Sequence, residues 1–78
     1  MKSSKLKPNQ IFKIGAMETL YQVDLDGKNA TKVLDNSGGH ARKTINLDTE
    51  PEFEATELND DEIQTLKGNP AFTGTIPK

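Results

Sequence analysis

Charge is segregated along this chain, and the segregation restricts how its halves can be arranged. Residues 1–47 carry eight Lys/Arg against four acids, a net of +4, whereas residues 48–66 carry eight acids and no base, a net of −8. Lys67 and Lys78 bring the total to −2. Opposite charges held this close in sequence either dock one half on the other or offer complementary surfaces to partners.

Seventy-eight residues make one domain at most. Leu, Ile, Val and Phe together number 17. That is just above the level at which disorder becomes the default, so the expected core is small and the ends flexible. With no Cys, neither a disulfide nor a thiolate site is available. No apolar run exceeds three residues, which excludes a membrane-spanning helix. Met1-Lys2-Ser3-Ser4-Lys5 is not followed by the apolar stretch of a secretory signal, so a cytoplasmic location is the simplest expectation.

Local patterning points to strands first and a helix last. Residues 1–9 read as a flexible basic arm closed by a Pro8-Asn9 turn. Ile11–Ile14 alternates, with Phe12 and Ile14 on one face and Lys13 on the other; Gly15 ends the strand or marks a bulge. Thr19–Asp24 is rich in β-formers, with Tyr21 and Val23 sharing a face. Asp26-Gly27 is a hairpin signal and predicts a partner strand at Ala30–Leu34, with Thr31 and Val33 inward. Asp35–Gly39 reads as a second reversal and 42–47 as another strand, with Ile45 and Leu47 inward. Pro51 confines any strand near residues 48–57 to a sheet edge, where Phe53 would anchor the acidic segment. Asn59 then caps a helix: Glu62 completes a capping box, Leu58 and Ile63 suit a hydrophobic staple, and Asp60 and Asp61 favour the helix start. Lys67, Gly68 and Pro70 mark its end. Residues 10–67 therefore form a single small β-rich domain, and 68–78 a C-terminal tail or edge strand. The expected fold is mainly β: a small antiparallel meander or SH3-like partly open barrel with one short C-terminal helix.

Chemistry-bearing motifs are thin. Asp24-Leu25-Asp26-Gly27 matches part of a calcium loop, but Gly27 at the sixth position puts Gln22 first and Val33 last, where acidic ligands belong. It reads as a hairpin turn. Ser37-Gly38-Gly39-His40 lacks the Lys-Ser/Thr pair of a phosphate loop and leads into no helix. His40 is the only His, so a nucleophilic triad or a zinc site would have to be assembled from distant, poorly fixed partners. A core this small offers little room for a pocket that separates two carboxylate pKa values. No catalytic residue, metal or cofactor is expected.

Charge supplies the remaining candidates. Glu50, Glu52, Glu54 and Glu57 form an acidic strip suited to a protein partner or to self-association. Lys13, Lys32, Arg42 and Lys43 lie at outward or near-turn positions and would serve a nucleic-acid-binding alternative, with the acidic segment 48–62 as its cover. Aromatic residues for base stacking are lacking on that face, which makes nucleic acid the lesser partner. In a third reading the acidic strip inhibits a DNA-binding partner by mimicking phosphates, although a net charge of −2 is small for that role.

The stretch Leu58-Asn59-Asp60-Asp61-Glu62-Ile63-Gln64-Thr65-Leu66-Lys67-Gly68-Asn69-Pro70-Ala71-Phe72 resembles a piece of small accessory proteins of tailed phages. There a short capped helix is followed by a Pro-containing turn and an apolar residue returning to a small sheet. The resemblance covers about the last twenty residues and carries over no functional residue. It implies a virion, assembly or host-interaction role, located in the host cytoplasm or the virion. The reading that follows is a non-catalytic protein-interaction module, phage-encoded on the strength of that resemblance.

Overall fold

The computed structural model describes residues 1–14, 17–35, 39 and 42–76. Five strands form one antiparallel sheet: β1 (Ile11–Ile14), β2 (Met17–Val23), β3 (Asn29–Leu34), β4 (Thr44–Asn46) and β5 (Ala55–Glu57). Their order is β4-β3-β2-β1-β5. The first four are a meander, and β5 crosses back to pair with β1. The sheet does not close into a barrel, so of the two expected architectures the open one is formed. A 3₁₀ turn (Ser3–Lys5) precedes the sheet and one helix, α1 (Asp60–Lys67), follows it.

Both faces of the sheet are covered, whereas the sequence pattern suggests one. On the first face Phe12, Tyr21, Val23, Ala30, Ile45 and Ala55 are buried, with Leu6, Ile14, Leu47 and Phe53 packed over them. The Phe12 ring stacks on Tyr21 at 5.9 Å and meets Phe53 at 6.1 Å, geometries that add to burial alone. On the second face Ile11, Leu20, Val33, Leu34 and Leu66 are buried beneath Leu58, Phe72 and Ile76. Eight residues of helix are too few to stand alone in water. Burying Leu66 contributes roughly 1.5–3 kcal/mol to holding α1 on the sheet.

The pairing corrects one expected facing. Leu20 pairs with Leu34 but Tyr21 with Lys32, so Val33 is the extra residue of a β-bulge. Val33 and Leu34 consequently both face the helix side, and Thr31 is only half-buried. The bulge leaves the Val33 carbonyl to be satisfied from elsewhere. Thr73 does so, donating from its backbone N–H at 2.9 Å and its hydroxyl at 3.2 Å.

Other expectations shift at their edges. The arm is held on the sheet rather than away from it: Lys2 forms an antiparallel bridge with Glu54, the Ser3 N–H donates to the Phe53 carbonyl at 2.8 Å, and the Asn9 N–H donates to the Val23 carbonyl at 2.9 Å. The last strand of the meander spans Thr44–Asn46 rather than 42–47, which leaves Arg42, Lys43 and Leu47 outside it. Between residues 68 and 76 no strand forms; the tail crosses the second face instead. Gly68 closes α1 at φ −97°, so the left-handed conformation its type permits is not used. The capping box at Asn59 and Glu62 is present in both directions. Gly15, most of the 35–39 reversal, and His40 lie outside the described residues.

Gln22 clamps the tail. It is 8% exposed. Its amide nitrogen donates to the Asn9 carbonyl at 3.0 Å and the Thr75 carbonyl at 2.6 Å, and its oxygen accepts from the Thr75 N–H at 3.0 Å. A Cβ on Gly74 would sit 2.7 Å from both Gln22 Oε1 and Val33 Cγ1. Gly74→Ala should therefore lower stability by about 2 kcal/mol in urea unfolding, with amide shifts concentrated at Gln22 and residues 72–76. Thr19 is 1% exposed and its hydroxyl has no hydrogen-bond partner among the described residues. Thr19→Val should raise stability by about 1 kcal/mol in the same measurement, because it removes a desolvated group at nearly constant shape.

Candidate functional site

The acidic segment meets the basic half inside one chain. Pairing of β5 with β1 sets Phe12 opposite Glu57, Lys13 opposite Thr56 and Ile14 opposite Ala55. Each residue of the expected acidic strip then finds an intramolecular partner. Glu50 pairs with Arg42, Glu52 with Lys2 at 3.7 Å, and Glu54 with the Met1 amino group at 3.2 Å. Glu57 accepts from the Gln10 amide at 2.9 Å. The four carboxylates are thus spread along β5 and its approach, each turned to a different neighbour.

The four cations of the alternative reading are not brought together either. Lys13 lies on the helix side and pairs with Glu62 at 2.6 Å. Lys32 pairs with Asp35 at 2.8 Å. Arg42 is taken by Glu50. Lys43 is exposed, with no ion pair among the described residues. Lys13 is on β1 and Lys32 on β3, and they point to opposite faces, since Lys13 alternates with Phe12 and Lys32 with the bulged Val33. No continuous basic stripe results.

Glu62, Arg42 and Tyr21 titrate away from their ordinary values. The hydrogen bond from Lys13, then the backbone N–H of Asn59, hold the Glu62 carboxyl below its usual range. The Glu50 hydrogen bond raises Arg42 further. Burial raises Tyr21, against the opposing charges of Lys32 and Arg42; its hydroxyl donates to the Arg42 carbonyl at 2.7 Å. These are structural ion pairs and a buried phenol; of them Lys13 and Glu62 border a groove of about 340 Å³ whose other walls include Leu20, Leu34 and Leu66. Among the described residues no cluster of three or more His, Cys, Asp or Glu is placed to hold a metal ion, and no helix is long and apolar enough to cross a membrane.

The two sheet edges differ. At β5, Met1 and Ala55 exchange both backbone hydrogen bonds at 2.7 Å, and Ser3 reaches Phe53. Outward peptide groups of Phe53 and Ala55 on that edge are therefore engaged, whereas those of Glu57, at the far end of β5, meet no backbone partner among the described residues. At β4, the Leu47 N–H bonds to the Lys28 carbonyl and the Lys32 N–H to the Lys43 carbonyl. Alternation of antiparallel bonds then aims the peptide groups of Thr44 and Asn46 away from β3. The Asn46 carbonyl accepts from the Glu50 N–H at 3.0 Å. The Thr44 N–H and carbonyl and the Asn46 N–H meet no backbone partner among the described residues. Side chains on both residues are exposed and flank the buried Ile45.

Sequence reasoning missed this edge, because alternation identifies a strand but not which strand ends a sheet. It also missed the Gln22 clamp and a groove of about 530 Å³ beside the β2–β3 hairpin, bounded on one side by residues 73–75. A buried Gln in a strand pattern is a signal that was available; the groove wall is formed by a tail with no periodicity to read. No protein-family model, curated protein or solved structure matches the chain.

The Lys13–Glu62 pair gives a pH test. A carboxyl depressed on folding contributes stability that is present above its unfolded value, ordinarily 4.5, and lost as pH falls through the folded value. Glu62→Gln keeps an acceptor for the cap but not the charge. Thermal unfolding followed between pH 7 and pH 2 should show a shallower loss below pH 4.5 in the variant than in the wild type.

Proposed function

We propose that this chain is a non-catalytic protein-interaction module that takes a partner's extended segment as a sixth strand on β4. The observation supporting this is the asymmetry of the sheet: residues 1–3 cover the outer side of residues 53–55, which leaves only Glu57 of β5 with outward peptide groups, while Thr44 and Asn46 keep theirs on β4. Unpaired edge groups are a template for strand addition, in which main-chain bonds supply affinity and alternate side chains supply specificity. β4 is only three residues long, which suits a short, reversible contact. In the setting implied by the phage resemblance, the partner is a virion, assembly or host protein, and the site of action is the host cytoplasm or the virion.

The acidic strip fits this role as internal structure more than as contact surface, since Glu50, Glu52, Glu54 and Glu57 each face a group of the same chain. The same contacts weigh against a phosphate mimic. Separation of Lys13 and Lys32 on opposite faces weighs against the nucleic-acid alternative, which needs cations aligned along a backbone.

A library of displayed linear peptides, selected on the folded chain, tests the reading. Selected peptides should shift the Thr44 and Asn46 amides, and Thr44→Pro should weaken them at least tenfold while leaving the melting temperature near wild type, because an edge strand tolerates Pro. Peptides that bind Thr44→Pro as well as wild type would overturn it.

A further inference from the structure

We infer that the tip of the β2–β3 hairpin and the groove beside it form a second docking surface, fitted to a partner segment that carries arginine or lysine next to large apolar side chains.

Leu25 is 84% exposed. The only other large apolar side chain exposed among the described residues is Met1, at 36%. A lone exposed Leu is ordinary, but this one stands at the lip of the 530 Å³ groove, whose lining includes Val23 and Val33 as well as Thr31 and Thr75. It is also held firmly. The Asp24 N–H bonds to the Asn29 carbonyl at 2.7 Å and the Gly27 N–H to the Asp24 carbonyl at 2.9 Å. Gly27 takes φ +73°, and a Cβ there would lie 3.5 Å from Pro8, so the turn is backed by the Pro8-Asn9 turn. An apolar side chain presented on a fixed turn loses little freedom on binding.

Charge specifies the partner. Asp24 and Asp26 flank Leu25 and also line the groove. Each is oriented by one hydrogen bond, Asp24 from the Thr31 hydroxyl at 3.0 Å and Asp26 from the Lys28 N–H at 2.8 Å. Neither has an ion pair among the described residues, unlike Asp35, Glu50, Glu52, Glu54 and Glu62. Lys32, the one cation in the lining, is directed to Asp35. Two oriented carboxylates beside an apolar anchor complement a guanidinium or ammonium whose aliphatic stem lies over the groove. No residue of β4 lines the groove, although Thr31 in its wall pairs with Thr44; the two readings use neighbouring but different groups, so either can fail without the other.

The test is an amide-shift titration of the labelled chain with a blocked decapeptide of arginine and leucine among glycine and serine, compared with the same peptide carrying glutamate for arginine. The arginine peptide should give saturable shifts at Leu25, Gly27, Thr31 and Thr75. The double variant Asp24→Asn, Asp26→Asn keeps both acceptor oxygens and should bind at least tenfold more weakly, as should Leu25→Ser, while Thr44→Pro binds like wild type. Equal binding of the glutamate peptide, unchanged affinity in either hairpin variant, shifts confined to other residues, or no saturable shift would each overturn the inference.

Discussion

The placement of the amino terminus, the acidic segment and α1 depends on β5 crossing the sheet to pair with β1. Three residue pairs make that connection, from Phe12 with Glu57 to Ile14 with Ala55. It carries the −8 segment onto the +4 half. It also sets Phe53 against Phe12, creates the edge that Met1–Ser3 occupies, and delivers α1 to the second face with Glu62 beside Lys13. Without it the meander β1–β4 would keep one face partly covered, and the tail would lose the helix that precedes it.

Ion pairs are the visible feature of this arrangement but not its main support. The Lys2–Glu52 pair, at 3.7 Å between largely exposed groups, and the Glu54 pair with the amino terminus are of a kind worth at most about 1 kcal/mol each. Burial of Phe53 and Ala55, together with the backbone bonds from Met1 and Ser3, outweighs them. The charges act mainly on choice: they favour the register in which acids face bases and disfavour like-charge alternatives. A chain with so few apolar residues gains from such selection, since its small core alone tolerates several packings.

Much of the architecture was legible because it is locally encoded. Ile11–Ile14 is read at its observed bounds, and Asn59, Glu62 and Lys67 mark the helix from its caps alone. Phe53 as the anchor of the acidic segment follows from a single aromatic among carboxylates. What was not legible is non-local. Nothing in Met1–Ser3 announces that it will pair with residues 53–55, fifty positions away. The bulge at Val33 is invisible to a period-two pattern and turns Leu34 to the unexpected face. The acidic strip was legible as charge but not as occupied charge, because its partners come from the arm, from residue 10 and from residue 42. Leu25 and the β4 edge were passed over for the opposite reason: an exposed Leu and a three-residue strand have no local mark of use.

Direct detection of the β1–β5 pairing tests the account at its centre. Ala55 directs its peptide groups to Met1, so Phe12–Glu57 and Ile14–Ala55 are the closely spaced pairs, whose α-protons lie near each other. A nuclear Overhauser spectrum should show α-proton contacts for both pairs, unchanged from low to high salt, and an isotope-filtered sample of mixed labelled and unlabelled chains should show none between molecules. Absence of these contacts while those of Ile11 with Gln22 and Lys13 with Leu20 persist, or their appearance only between molecules, would contradict the account.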